Sequence, residues 1–134
     1  MSIRVYLVCP VRNATPEQTA EIKAYVEGLE ANGYLVHWPA RDTIQEDETN
    51  GWQVCEQNGE AIMGADEVHV WWDPKSQGSM FDLGMAWMLR LIEEWSGTSW
   101  SCDQKFVLAN KVEIPEGKAF EKVLMRWAGK AKGE

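Results

Sequence analysis

The hydrophobic pattern divides the chain into short alternating runs and longer helical stripes. Residues 3–8 read Ile3-Arg4-Val5-Tyr6-Leu7-Val8, an alternation rich in β-branched side chains that predicts a first strand. Cys9-Pro10-Val11-Arg12-Asn13-Ala14 is the loop after it. Thr15-Pro16-Glu17-Gln18 reads as a helix start, with threonine as cap, proline at the first position and glutamine three residues after the cap. Ile22, Val26 and Leu29 then recur at helical spacing, and Asn32-Gly33 supplies a left-handed stop. A second strand is predicted over 34–38, closed by Pro39. The polar, acidic, non-periodic run 41–50 predicts an exposed loop long enough to act as a lid. A second helix follows over 52–63, weakened by Gly59, and Gly64-Ala65-Asp66 turns the chain. The apolar run Val68-His69-Val70-Trp71-Trp72 predicts a central strand buried on both faces. A third helix is predicted over 79–95, a break at 96–99 and a fourth strand over 105–109. After the turn Ile114-Pro115-Glu116-Gly117, a last helix carries Phe120, Val123, Leu124 and Trp127 on one stripe.

Four strands each followed by a helix predict an α/β fold. The expected form is a three-layer sandwich around a parallel sheet with right-handed crossovers, in a flavodoxin-like 2-1-3-4 order. Residues 1–129 are expected to form one domain, with 130–134 as a frayed tail. A chain of 134 residues has room for one core.

Composition narrows the partners. The formal charge of −8 argues against broad contact with nucleic-acid polymers or anionic membranes, because an acidic surface repels phosphate backbones. It leaves room for one small phosphorylated ligand held by local cations. No apolar run approaches membrane-spanning length. Cys9, Cys55 and Cys102 are odd in number and form no CxxC pair, which predicts a reduced, cytoplasmic setting. His37 and His69 lie within predicted strands, and no Cys/His spacing fits a metal, so neither metal nor cofactor is expected. Eight tryptophans imply large aromatic surfaces in a core, a pocket or an interface.

The richest stretch for chemistry runs from Trp71 to Trp87. It joins a strand end, a polar loop and a helix start, the place where open α/β sheets hold ligands. Asp82 is expected in the first helical turn, where the helix dipole favours its ionised form. An ionised carboxylate there either attacks an electrophilic carbon or only complements the dipole. Ser76, Gly78 and Ser79 offer hydroxyls and free N–H groups to a phosphate, or simply cap the helix. Tyr6 and Arg12 lie near the end of a neighbouring strand. There Tyr6 either bonds a carboxylate or fills the core, and Arg12 either clamps an anion or sits in solvent. Asp73 either takes a ligand hydroxyl or closes an Asx-turn. Trp38, Trp71 and Trp72 either stack on a base or pack inside. The acidic run Glu46-Asp47-Glu48 reads as a solvated loop.

Three stretches together resemble the nucleoside 2-deoxyribosyltransferase superfamily, which also contains nucleoside 5′-monophosphate N-glycosidases. They are Tyr6-Leu7-Val8-Cys9-Pro10, Ala65-Asp66-Glu67-Val68-His69-Val70 and Gly78-Ser79-Met80-Phe81-Asp82-Leu83-Gly84-Met85-Ala86. The third is similar to the family's G-x-x-x-E-L-G-x-A pattern, whose carboxylate attacks the anomeric carbon of the sugar. The resemblance implies that Asp82 is the nucleophile and Tyr6 its orienting partner. It also implies that Ser76, Gly78 and Arg12 hold a 5′-phosphate as in the nucleotide branch, with Ser79 beside them. Asp73 and Trp72 complete the expected ligand contacts. The expected activity is cleavage or transfer at the N-glycosidic bond of a (deoxy)nucleotide or (deoxy)nucleoside, in a homo-oligomer. The rival expectation is a nucleotide-binding or sensor domain without chemistry, and a third is a flavin module of flavodoxin type. Three positions depart from the family pattern. Asp82 stands where glutamate is usual and is one methylene shorter. Met80 replaces a small residue, and Pro10 replaces a serine of the nucleotide branch.

Overall fold

A computed structural model of the chain describes residues 2–96 and 104–130. Cys102, most of the expected break at 96–99 and all but the first residue of the 130–134 tail lie outside these. Four parallel strands form one sheet in the order β2-β1-β3-β4, with β1 at Arg4–Val8, β2 at Leu35–His37, β3 at Glu67–Val70 and β4 at Lys105–Leu108. The predicted α/β class and strand order are those observed. β3 is central and buried as its apolar run implied, although the strand ends at Val70, before the tryptophans.

The alternation of side chains along β1 builds two separate cores. Val5 and Leu7 face helix α1 (Pro16–Ala31) and pack against its Ile22 and Val26. Tyr6 and Val8 face the opposite way, together with Val68, Val70, Phe106 and Leu108. That second face is covered by α3 (Trp52–Met63) through Ile62 and by α4 (Gln77–Ser96) through Leu83, Ala86 and Leu89. α5 (Phe120–Trp127) contributes Leu124 to the same core. The result is three layers, helix–sheet–helix. α1 starts as its sequence predicts. Gln18 N–H donates to Thr15 Oγ1 and Thr15 N–H to Gln18 Oε1, both at 3.0 Å, a reciprocal capping box. Gly33 ends the helix region at φ +88°, open only to residues that tolerate the left-handed region.

The structure corrects three expectations. Pro39 does not open a loop directly: it starts a single helical turn, α2 (Pro39–Asp42), because proline is preorganised for a first helical position. The run 41–50 is mostly exposed as expected, but it is anchored at several points. Thr43 is buried, Gln45 Nε2 donates to the carbonyls of Pro39 and Thr43, and Asp47 accepts the N–H groups of Thr49 and Val54 at the start of α3. Asp47 is therefore a capping acid, although Glu46 and Glu48 remain exposed. On α5 the expected stripe is divided. Leu124 is buried and the Trp127 ring stacks on Phe106 at 3.8 Å, while Phe120 and Val123 are exposed.

α4 is apolar on two sides. Inward, Leu83, Ala86 and Leu89 meet the sheet, and Met85 lies so close to α3 that a Cβ on Gly59 would stand 3.2 Å from its sulfur. Gly59 thus sits where α3 and α4 approach each other, which accounts for a poor helix former at that position. Outward, Phe81, Met88, Ile92 and Trp95 are exposed at helical spacing. Among the described residues no helix is long and apolar enough to cross a membrane.

Candidate active site

β1 connects to β2 on one side and β3 to β4 on the other, so the loops leaving β1 and β3 part at the carboxyl end of the sheet. That crevice is where open α/β sheets take ligands. Its walls are tied together. Asp73 Oδ1 accepts the N–H of Lys75 at 2.9 Å, an Asx-turn, while Asp73 Oδ2 accepts from Gln18 Nε2 of α1 at 3.0 Å. Asn110, just past β4, grips the Trp72 backbone from the other flank. Trp72 N–H donates to Asn110 Oδ1 at 2.7 Å, and Asn110 Nδ2 donates to the Trp72 carbonyl at 3.0 Å.

Within this frame the phenol of Tyr6 donates to Asp82 Oδ2 at 2.7 Å, in a buried contact between residues 76 apart in sequence. Inward alternation on β1 aims Tyr6 at the α4 face, and Asp82 lies on the inward side of α4. Its helical position differs from expectation. α4 begins at Gln77, so Asp82 stands in the second turn, beyond the reach of the dipole that favours ionisation in the first. Burial dominates instead. Asp82 is only 7% exposed, and desolvation lifts its carboxyl from the usual range up to about 6, against the opposing pull of hydrogen bonds from Tyr6 and Asn58. The Tyr6 phenol moves up, first by burial and then by the neighbouring carboxylate, so it remains a proton donor.

Asn58, Thr43 and His37 were not among the residues the sequence put forward, yet all lie on the same face. The parallel register sets His37 beside Tyr6, and their rings stack at 5.4 Å between centroids with 15° between planes. Thr43 Oγ1 donates to Asn58 Oδ1 at 2.7 Å and lies 2.8 Å from His37 Nε2. Burial lowers the His37 pKa, which keeps the ring neutral at pH 7. Since the one Thr43 proton goes to Asn58, His37 Nε2 carries the hydrogen of that contact. The sequence held a signal for Asn58. It stands four residues before Ile62 on the buried stripe of α3, a polar residue where the pattern asks for an apolar one. Two thiols also face the carboxylate. Burial and Asp82 push Cys9 up to about 12, and the same causes raise Cys55, so both are neutral at physiological pH.

The remaining candidates divide. Ser76 caps α4: its Oγ accepts the N–H of Ser79 at 3.2 Å and the Ser79 hydroxyl at 2.8 Å. Ser79 is wholly buried and turned inward. Gly78 is exposed, with open space where a side chain would project. The N–H groups of Gln77 and Gly78, at the first two helical positions, have no partner within the helix. Arg12 is exposed beside the crevice and makes no ion pair among the described residues. Trp72 belongs to the core. Its ring is 7% exposed and its indole N–H donates to Glu121 at 3.1 Å, so packing rather than stacking explains it. Trp38 is half-buried, and its buried indole N–H is turned toward the Cys9 sulfur rather than to solvent. An open groove of about 340 Å³ runs along the β2 edge past Arg4, His37, Asp42 and Glu60. It does not include Asp82, Ser76 or Gly78.

No family model and no curated protein matches the chain. Among solved structures the chain is similar to the CMP N-glycosidase BcmB of Clostridium botulinum, at 19% identity and a TM-score of 0.48. The alignment covers 78% of this chain and 66% of that one, so the chain spans just under two thirds of that protein's length.

The buried carboxyl gives a test that needs no substrate. A folded-state pKa raised above the ordinary 3.8 means stability present below pH 4 and lost as pH rises through about 6. Asp82→Asn removes this loss. Chemical denaturation at pH 4 and pH 7 is expected to show the variant gaining on wild type between the two, by on the order of 3 kcal/mol. A difference independent of pH would contradict the burial cost assigned to Asp82.

Proposed function

We propose that this chain breaks the N-glycosidic bond of a (deoxy)nucleoside 5′-monophosphate with Asp82 as nucleophile. The observation that supports the reading is the buried 2.7 Å bond from Tyr6 to Asp82, which holds the carboxylate beneath the carboxyl end of β1. A carboxyl with a pKa near 6 is mostly ionised at pH 7 yet poorly solvated, which suits it to attack carbon. In the first step an Asp82 oxygen bonds to C1′ while the C1′–N bond breaks. The base departs with the bonding electrons and takes up a proton. Water, or a second base, then attacks C1′ and frees the carboxylate, following the logic of a retaining glycosidase. Tyr6 orients Asp82 throughout. Arg12, the Ser76 hydroxyl and the free N–H groups of Gln77 and Gly78 meet the 5′-phosphate at the start of α4. Asp73 braces this loop through its turn and through Gln18.

One observation favours a second reading, a nucleotide-binding domain without chemistry. Asp82 is both short and almost fully enclosed. Incubation with a panel of deoxynucleosides and their monophosphates, followed by chromatography of free base, separates the two. The expected result is base release preferring monophosphates, rising with pH through about 6 and abolished in Asp82→Asn. Ligands that raise Tm without base release would establish the second reading. Equal activity in Asp82→Asn would remove Asp82 from the chemistry.

We propose the outer face of α4 as the contact of the homo-oligomer expected from the sequence. Paired antiparallel about Met88, two copies set Phe81 against Trp95, and Ile92 over the bare backbone of Gly84. The face is therefore complementary to itself. Its four large side chains, 42–80% exposed, bring several hundred Å² of apolar surface, of the order that roughly 800 Å² per partner requires. Analytical ultracentrifugation is expected to find a dimer for wild type and a monomer for Met88→Glu. A monomeric wild type at micromolar concentration would overturn the pairing.

A further inference from the structure

The Asn58 amide beside Asp82 has two orientations related by a half-turn of its plane. One turns an N–H donor to the carboxylate and the other turns a carbonyl oxygen to it. An ionised Asp82 favours the donor orientation, and the far edge of the amide reinforces it, where Thr43 Oγ1 donates to Asn58 Oδ1 at 2.7 Å in a contact between residues only 4% and 7% exposed. A hydroxyl has a single proton. With that proton on Asn58, the contact at 2.8 Å from Thr43 Oγ1 to His37 Nε2 is complete only in the Nε2–H tautomer, so the two bonds reinforce each other. His37 is in turn held by its stacking on Tyr6, the residue that donates to Asp82 from the other side. Every donor then points one way, from His37 through Thr43 and Asn58 to Asp82.

We infer that Thr43 is a positioning residue for Asp82, reinforcing the sense of the Asn58 amide in which the carboxylate faces an N–H donor. Its catalytic meaning rests on the role proposed for Asp82; its structural content does not. The short α2 turn places Thr43 here. Pro39 starts the turn, Asp42 Oδ2 accepts the Trp38 N–H at 2.9 Å, and the next residue enters the core. Gln45, bonded to the Pro39 and Thr43 carbonyls, closes the turn from the other side. The groups facing Asp82 are Tyr6 and Cys9 from β1 and its loop, and Cys55 and Asn58 from α3. The thiols and the phenol stay neutral around pH 6, and His37, whose pKa burial lowers, is followed by its own ring signals, so a change in Asp82 titration without one in His37 reports the amide.

Thr43→Val keeps the shape and removes the proton that reinforces the Asn58 orientation. Thr43→Ser keeps the proton and removes a methyl. The test labels aspartate carboxyl carbons with ¹³C in the full chain and follows Asp82 by NMR from pH 4 to 9, its signal identified by its loss in Asp82→Asn. The expected midpoint is about one pH unit above wild type in Thr43→Val and within about 0.3 unit of it in Thr43→Ser. Amide spectra report whether each variant folds, and Thr43→Ala carries the same expectation should the valine variant fail to fold. A Thr43→Val titration matching wild type would overturn the inference. So would a serine variant that shifts as far as the valine one. With a deoxynucleoside monophosphate substrate, kcat of Thr43→Val at pH 6 is expected to fall about fivefold, with KM changing by less than about twofold. Failure of wild type to release base would count against the proposed chemistry, while the titration would still decide the role of Thr43.

Discussion

The hydrogen bond from Tyr6 to Asp82 is the contact on which the rest of the candidate site depends. It joins the second core-facing residue of β1 to the second turn of α4, and it does so inside the larger of the two cores. A buried carboxylate without such partners costs more than the domain can easily spare. A hydrogen bond to a charged group recovers roughly 1.5–3 kcal/mol of that cost. The remaining cost appears as the raised carboxyl pKa. Asp82 is thus held in a state that costs stability, a balance found at working sites more often than in ordinary cores.

Sheet topology explains why these residues meet. Because β1 lies between β2 and β3, Tyr6 has His37 on one side and Val68 on the other, at matched register. α3 and α4 close over this strip with Gly59 set against Met85, and the two helices bring Asn58 and Asp82 to the same place. Each face buries polar groups: on the α1 side Tyr25 meets the buried His69, which pairs with Glu67, and the Tyr6 face holds a longer network of tyrosine, histidine, threonine, asparagine and aspartate.

Much of this was legible in the sequence, because most of its signals are local. The capping box at Thr15, the stop at Gly33 and the apolar run of β3 each act within a few residues, and each appears where expected. Strand order left the Tyr6–Asp82 pairing as one of two alternatives, and the family-like motifs singled it out. Nothing local connects residues 76 apart. What escaped notice depended on tertiary packing. Thr43 reads as part of a polar loop until Pro39 and Asp42 fold a turn that buries it. Asn58 reads as one more polar helix position until Ile62 shows which side of α3 is inside. Trp72 was placed among the ligand contacts, with core packing as the alternative. The chain uses its ring to fill the core, with the indole N–H satisfied by Glu121.

The central claim is that Asp82 itself bonds to the sugar. Fluorine at C2′ destabilises the oxocarbenium-like transition state of both steps, so a 2′-fluoro-2′-deoxynucleoside monophosphate lets a glycosyl ester accumulate where the natural nucleotide turns over. Intact-protein mass spectrometry followed by peptide mapping reads the outcome directly. The account predicts one fluorinated sugar-phosphate per chain, located on the peptide that carries Asp82 and absent from Asp82→Asn. Release of base from the natural nucleotide with no adduct at Asp82, or with the adduct on another residue, would contradict it.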